Sequence, residues 1–291
     1  MKAMQRSLTL ACLCLVSVFL VASVAHASDL ACGKPMTAEQ KAQRAIDVQS
    51  VQNVMGYHQI YGAPGGDHDK EIELIWAHHT PGMSFGENTG IYKGDINVIK
   101  GMYGTAASSW MGSGAKTASA KGAAPAGAPA GGAEGGAPAG GPPAPVAATG
   151  NFSMRTLTTP IIEIAGDGKT AKAWWYTIGW SSGNQGGKGT AEWSFERYGI
   201  DFVKEDTEWK IWHFHVYNDF DTPYEKNWVQ NAIDNGHGRS GGVTTSAQHP
   251  DQAQYFEPTV FHHAYDPSVD NNPADPPVPV PYCHFSDTFS Y

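Results

Sequence analysis

An α+β fold, helices first and an antiparallel sheet afterward, is what the sequence predicts. Three observations carry it. A capped helical pattern opens the folding part of the chain, four strand-like runs with turn residues between them follow residue 157, and an Ala/Gly/Pro tract separates the two regions.

The first helix has a start, a stripe and a stop. Thr37-Ala38-Glu39-Gln40 fits a capping box, with Thr37 as N-cap and Gln40 reaching back. Val51, Val54, Met55, His58 and Tyr61 recur at three- and four-residue spacing, and Gly62-Ala63-Pro64-Gly65-Gly66 ends the run. A short second helix is expected over Asp69–Trp76, its acids at the end the macrodipole favours. Met83-Ser84-Phe85 and Ile91-Tyr92-Lys93 read as a hairpin around Glu87-Asn88-Thr89-Gly90, and a third helix as Asp95–Tyr103, fraying toward Trp110.

Residues 122–148 hold 11 Ala, 8 Gly and 6 Pro, a composition that cannot bury enough apolar surface to fold. The tract therefore reads as a disordered insertion, set at 112–150. Beyond it come strands over Leu157–Ile164, Ala171–Trp180, Thr190–Val203 (a bulge expected at Gly199) and Trp209–Tyr217. Asp167-Gly168 turns the first into the second. Nine prolines after Phe220 make residues 221–291 an extended C-terminal arm.

Composition narrows the function. The formal charge is −9 and no Lys/Arg cluster is present, which excludes a phosphate-gripping nucleic-acid binder. Lys2 and Arg6 precede an apolar run from Leu8 to Val24 and a small-x-small Ala25-His26-Ala27, the pattern of a signal peptide over residues 1–27. An uncleaved anchor is the competing reading. Export to the periplasm or outside suits a disulfide between Cys32 and Cys283, against the alternative of two unpaired thiols.

The segments Thr158-Thr159-Pro160-Ile161-Ile162-Glu163-Ile164-Ala165-Gly166-Asp167-Gly168-Lys169-Thr170-Ala171, Tyr198-Gly199-Ile200-Asp201-Phe202-Val203-Lys204-Glu205-Asp206 and Trp209-Lys210-Ile211, in their order after the helices, resemble a SnoaL-like domain of the NTF2-like superfamily. The resemblance spans about residues 37–220 without the insertion, within a domain set at 36–220. It implies an NTF2-like cone: a curved antiparallel sheet wrapped around N-terminal helices, with an apolar pocket inside. It also implies polyketide cyclases, dehydratases, isomerases and cofactor-free lyases among the relatives, beside purely binding modules.

The candidate chemistry lies in Trp209-Lys210-Ile211-Trp212-His213-Phe214-His215-Val216-Tyr217. Strict alternation puts His213, His215 and Tyr217 on one face with Trp209 and Ile211. Neutral imidazole is the natural general base near pH 7. The expected catalytic set is His213, His215, Tyr57 and His58, and the expected substrate-binding set Tyr61, Trp76, His79, Phe85, Tyr92, Trp174, Tyr176 and Tyr217. Arg155 is a weaker candidate. The family's helix-one carboxylate is missing, since the matching stretch reads Gly56-Tyr57-His58-Gln59-Ile60-Tyr61. This favours His/Tyr acid–base chemistry on a small hydrophobic, aromatic substrate by a cofactor-independent lyase, dehydratase or isomerase. No cofactor and no metal are expected, and a homodimer or other homo-oligomer is. Two alternatives remain open: a non-catalytic ligand-binding protein, and a metal-dependent enzyme using His213 and His215 with Asp219.

Overall fold

The computed structural model describes residues 30–87, 90–103, 152–185, 188–234, 250–258, 265–270 and 276–291. The signal-peptide, insertion and Trp110 expectations fall outside them. Among the described residues no helix is long and apolar enough to cross a membrane.

Two short strands, β1 (Leu30–Ala31) and β2 (Lys34–Pro35), form a hairpin ahead of helix α1 (Ala38–Tyr61). Both bonds of the capping box form: Gln40 N donates to Thr37 Oγ1 at 3.2 Å, and Thr37 N to Gln40 Oε1 at 2.9 Å. Asp47, Val51, Met55 and His58 are its buried residues, one stripe at three- and four-residue spacing. The second helix differs from expectation. It is a single α-turn, α2 (His68–Lys70), capped by Asp67, that widens into π-helix over Glu71–Ile75. Strands β3 (Met83–Glu87) and β4 (Gly90–Gly94) form the predicted hairpin, and α3 (Ile96–Tyr103) follows it.

The long strands are β5 (Phe152–Ile164), β6 (Thr170–Gln185), β7 (Lys188–Glu205) and β8 (Glu208–Pro223). They pair as an antiparallel meander. Helix α4 (Trp228–Asp234) and strand β9 (Phe256–Pro258) come after them. The seven strands lie in the order β5-β6-β7-β8-β3-β4-β9, with β3 parallel to β8 and every other pair antiparallel. The C-terminal region thus adds a strand to the sheet. The α+β class with a curved sheet against N-terminal helices stands as expected.

Register decides which side chains face the helices. The shifts in β7 pairing lie at Phe195/Glu196 and Asp201/Phe202, not at Gly199. Asp201 pairs with His213 and Phe202 with Ile211, so Trp212 is the extra residue of a β-bulge. Ile211 packs in the main core and Phe214, three residues on, packs there too. The bulge has turned the strand over. Val51, Met55, Trp76, Phe85, Trp175, Tyr198, Phe202, Ile211 and Phe214 belong to that inner core. Trp174, Tyr217 and Tyr291 form a second cluster on the other face of the sheet, with Tyr176 and Val278 against it.

The arm, residues 276–291, covers that outer face. Gly166 N donates to Tyr282 O at 2.9 Å, and a Cys32–Cys283 disulfide ties the arm to the β1–β2 hairpin. Lys172, fully buried on β6, reaches Asp201 Oδ1 at 2.6 Å under the rings of Phe285, Phe289 and Tyr291, 4.5 to 5.3 Å from their centroids.

Candidate functional site

The inner core holds a buried polar focus between α1 and the π-helical turn. His58, on the buried stripe of α1, meets Glu71, the first residue of the π-helical turn, with Nδ1–Oε1 at 2.6 Å. Trp76 Nε1 donates to the same oxygen at 2.7 Å. Glu71 has no solvent exposure, and its Oε2 has no hydrogen-bond partner among the described residues. A carboxylate costs several kcal/mol or more to bury without partners, so this one is held by its two donors. With Oε1 as the acceptor, the neutral form of His58 carries its proton on Nδ1. Its Nε2, without a hydrogen bond among the described residues, is left with its lone pair.

The π-turn is what makes the pair. Glu71 and Trp76 are five residues apart, the spacing a π-turn stacks, so the indole N–H lies over its own carboxylate. The walls are aromatic. His58 sits 5.1 Å from the Phe214 ring and 6.2 Å from that of Trp76, both edge-on, and Phe85 is 5.5 Å from Phe214. Tyr198 packs 4.9 Å from Phe214, and its hydroxyl donates to Glu196 Oε2 at 2.9 Å. Arg155 and Thr177 also reach Glu196. Burial, with Glu71 and Tyr198 nearby, pushes the Tyr103 hydroxyl well above its usual range; burial and Glu196 do the same to Tyr198. Both phenols stay protonated at neutral pH.

The expected site residues separate into three places. His58, Trp76 and Phe85 come together inside; Tyr92 is buried in the same core against Phe256, and Tyr61 packs at its edge. Tyr57 does not join them. It is one helical position off the buried stripe, half exposed and stacked on Tyr61. His79 is exposed in a loop whose backbone N–H groups bind Glu205.

His213, His215, Trp174, Tyr176 and Tyr217 lie on the outer face, because of the Trp212 bulge on β8 and plain alternation on β6. His213 is fully engaged there. Its Nδ1 bonds Asp201 Oδ2 at 2.8 Å and its Nε2 faces Gly82 O at 3.0 Å. The His215 ring stacks on Tyr217 at 4.1 Å. Asp219, the third member of the metal reading, is bound instead by Arg197 Nε at 3.0 Å. Among the described residues one trio of such side chains could share an ion, Cys32, Cys283 and His284, and its cysteines are joined as the disulfide rather than acting as ligands.

Glu71 was not among the sequence-derived candidates. Its signal was an acid four residues before the apolar Ile75, hence on that helix's apolar face. Glu71 places a carboxylate beside His58 from the segment that follows α1.

The geometry defines a class, an α+β cone with a His–carboxylate pair in an aromatic interior. The SnoaL-like domain family matches residues 138–215, the stretch that holds the segments resembling that family in the sequence. Among curated protein sequences none matches the chain. Three solved structures are similar to it at low identity. Hexachlorocyclohexane dehydrochlorinase LinA-type3 from Novosphingobium barchaimii has 9% identity and a TM-score of 0.41, over 64% of this chain and 96% of that one. A Novosphingobium aromaticivorans protein named for scytalone dehydratase has 7% and 0.41, over 64% and 93%. A single-residue variant of Rv3472, a Mycobacterium tuberculosis protein of unknown function, has 11% and 0.37, over 61% and 75%.

Proposed function

We propose that this protein is an exported, cofactor-independent lyase or isomerase that removes a proton from a small hydrophobic, aromatic substrate. The observation that carries the reading is the buried His58–Glu71 pair facing aromatic walls. His58 Nε2 takes the proton from carbon. Glu71 holds the ring through Nδ1–H and stabilises the imidazolium that forms. Trp76 fixes Glu71. A phenol kept neutral by burial, Tyr103, supplies a hydrogen bond to the oxyanion or leaving group that develops. Proton return to another carbon gives isomerisation, and departure of a leaving group gives elimination. The SnoaL-like domain supports this setting. Export rests on the N-terminal charge and apolar pattern, and the terminal disulfide suits it.

The test is proton exchange. The full mature chain is incubated in D2O with a panel of aryl-substituted cyclic enones, β-hydroxy ketones and alkyl halides, and deuterium uptake or elimination is followed by NMR. The expected result is turnover of at least one class, lost about 100-fold or more in His58→Ala and lowered comparably in Glu71→Gln. Ligand-detected binding without exchange in any class would instead assign a carrier. Turnover that survives His58→Ala unchanged would remove His58 as base.

A further inference from the structure

The disulfide that fastens the arm has a proton relay beside it. Cys283 Sγ lies 3.2 Å from His284 Nε2, and His284 Nδ1 lies 3.0 Å from Asp167 Oδ2. Asp167 is held by the arm it serves, its N–H donating to Cys283 O at 3.2 Å. The carboxylate accepts from Nδ1–H and so turns the Nε2 lone pair toward sulfur, the order of groups that activates a thiol. A bond kept only for stability needs no such neighbour. The other sulfur is the accessible one. Cys32 is exposed, at φ 51° in a two-residue turn with Gly33 at φ 77°, while Cys283 is half-buried behind the imidazole. Asp287 is the remaining charged group on His284, taking its backbone N–H at 2.8 Å.

We infer that Cys32–Cys283 is a thiol–disulfide exchange site, with Cys32 the sulfur attacked by an incoming low-molecular-weight thiol or protein dithiol and Cys283 the leaving group. The sulfur of the thiol R–SH bonds to Cys32 Sγ as the Cys32–Cys283 bond breaks. The electron pair of that bond goes to Cys283 Sγ, and the proton of R–SH ends on His284 Nε2. A thiolate–imidazolium pair backed by Asp167 results. A second thiol releases Cys32 from the mixed disulfide. Exchange removes the covalent tie between the arm and the β1–β2 hairpin and leaves the arm held by hydrogen bonds at the Gly166–Asp167 turn, the Lys172 cage and the Asp201 network.

The oxidised full-length mature protein is treated with glutathione, quenched with a maleimide and weighed intact, for the wild type, His284→Ala, His284→Gln and Asp167→Asn. A good leaving thiolate speeds exchange, so the wild type opens about tenfold faster than either His284 variant, with Asp167→Asn between. Misfolding cannot mimic this, because a loosened arm exposes the bond and speeds its reduction. In the reduced wild type, Cys283 reacts with iodoacetamide near pH 6 whereas Cys32 waits until about pH 8. Opening rates equal within twofold across the variants, or one shared alkylation profile for both cysteines, overturns the proposal.

Discussion

Gly199 sits where the arm presses hardest on the sheet, and its replacement by alanine gives a quantitative prediction. A Cβ built at Gly199 runs into Cδ1 of Tyr291 and lies 2.6 Å from Cε1 and 2.8 Å from Cγ, closer than non-bonded carbons come. The ring has little room to shift. It is only 6% exposed among Trp174 and Tyr217, meets Phe289 edge-on at 4.9 Å, and its hydroxyl donates to Pro277 O at 2.7 Å. Alanine therefore expels the ring. Burying an aromatic side chain of this kind is worth about 2–3 kcal/mol, and its hydrogen bond about 1 kcal/mol. The expected cost of Gly199→Ala is thus about 3 kcal/mol, limited by how completely the arm can lift while Cys283 stays bonded. Urea unfolding of the oxidised protein measures it. In a Tyr291→Ala background the ring is already gone, and the second substitution should cost less than about 0.5 kcal/mol, because the two residues act through one contact. A small effect in the wild type, or the same effect in both backgrounds, would refute the packing argument.

Other perturbations address other contacts. Burial opposes the charge on Glu205, but N–H groups of His78, His79 and Thr80 with the Thr80 hydroxyl outweigh it and hold the carboxyl below the usual range. A depressed carboxyl contributes stability above its ordinary value and loses it as pH falls through the folded one. Glu205→Gln should therefore cost about 1–3 kcal/mol near pH 7, with the difference from wild type vanishing in acid when pH is scanned by thermal unfolding. Lys172→Met keeps the apolar bulk under three rings but strips Asp201 of its cation, for about 3 kcal/mol in urea unfolding. Trp76→Phe removes the indole N–H from Glu71, and should lower kcat about tenfold with KM little changed. His213→Ala should leave proton-exchange turnover as it is while costing about 1–2 kcal/mol, since the ring serves Asp201 and Gly82 rather than the interior.

How much of this was legible in the sequence depends on the range of the interaction. Helix α1 was, down to Thr37 and Gln40, because a capping box and an apolar stripe are local facts. The hairpin, the order of the long strands and the pairing of two cysteines 251 residues apart were also readable, from turn chemistry and from the two cysteines outside the expected signal peptide. The faces of β8 were not. Alternation is a rule of two, and one inserted residue, Trp212, reverses it without any mark in the residues beside it; Trp212 itself fills a place under Pro81 and Phe285 that only the folded arm creates.

The two groups of histidines differ in what surrounds them. His213 faces an acid, a hydroxyl and a carbonyl, every ring nitrogen engaged, so it holds the arm to the sheet. His58 has one nitrogen tied to a carboxylate and the other left without a hydrogen bond among the described residues, in an aromatic interior. The sequence put His213, His215 and His58 together in one expected catalytic set. Hydrogen bonds divide that set: both nitrogens of His213 are engaged by Asp201 and Gly82, whereas His58 has Nδ1 on Glu71 and Nε2 without a hydrogen bond among the described residues. That division rests on Glu71, which is in place because the chain after Asp67 takes one α-turn and then a π-turn, a deviation that recurs at functional sites.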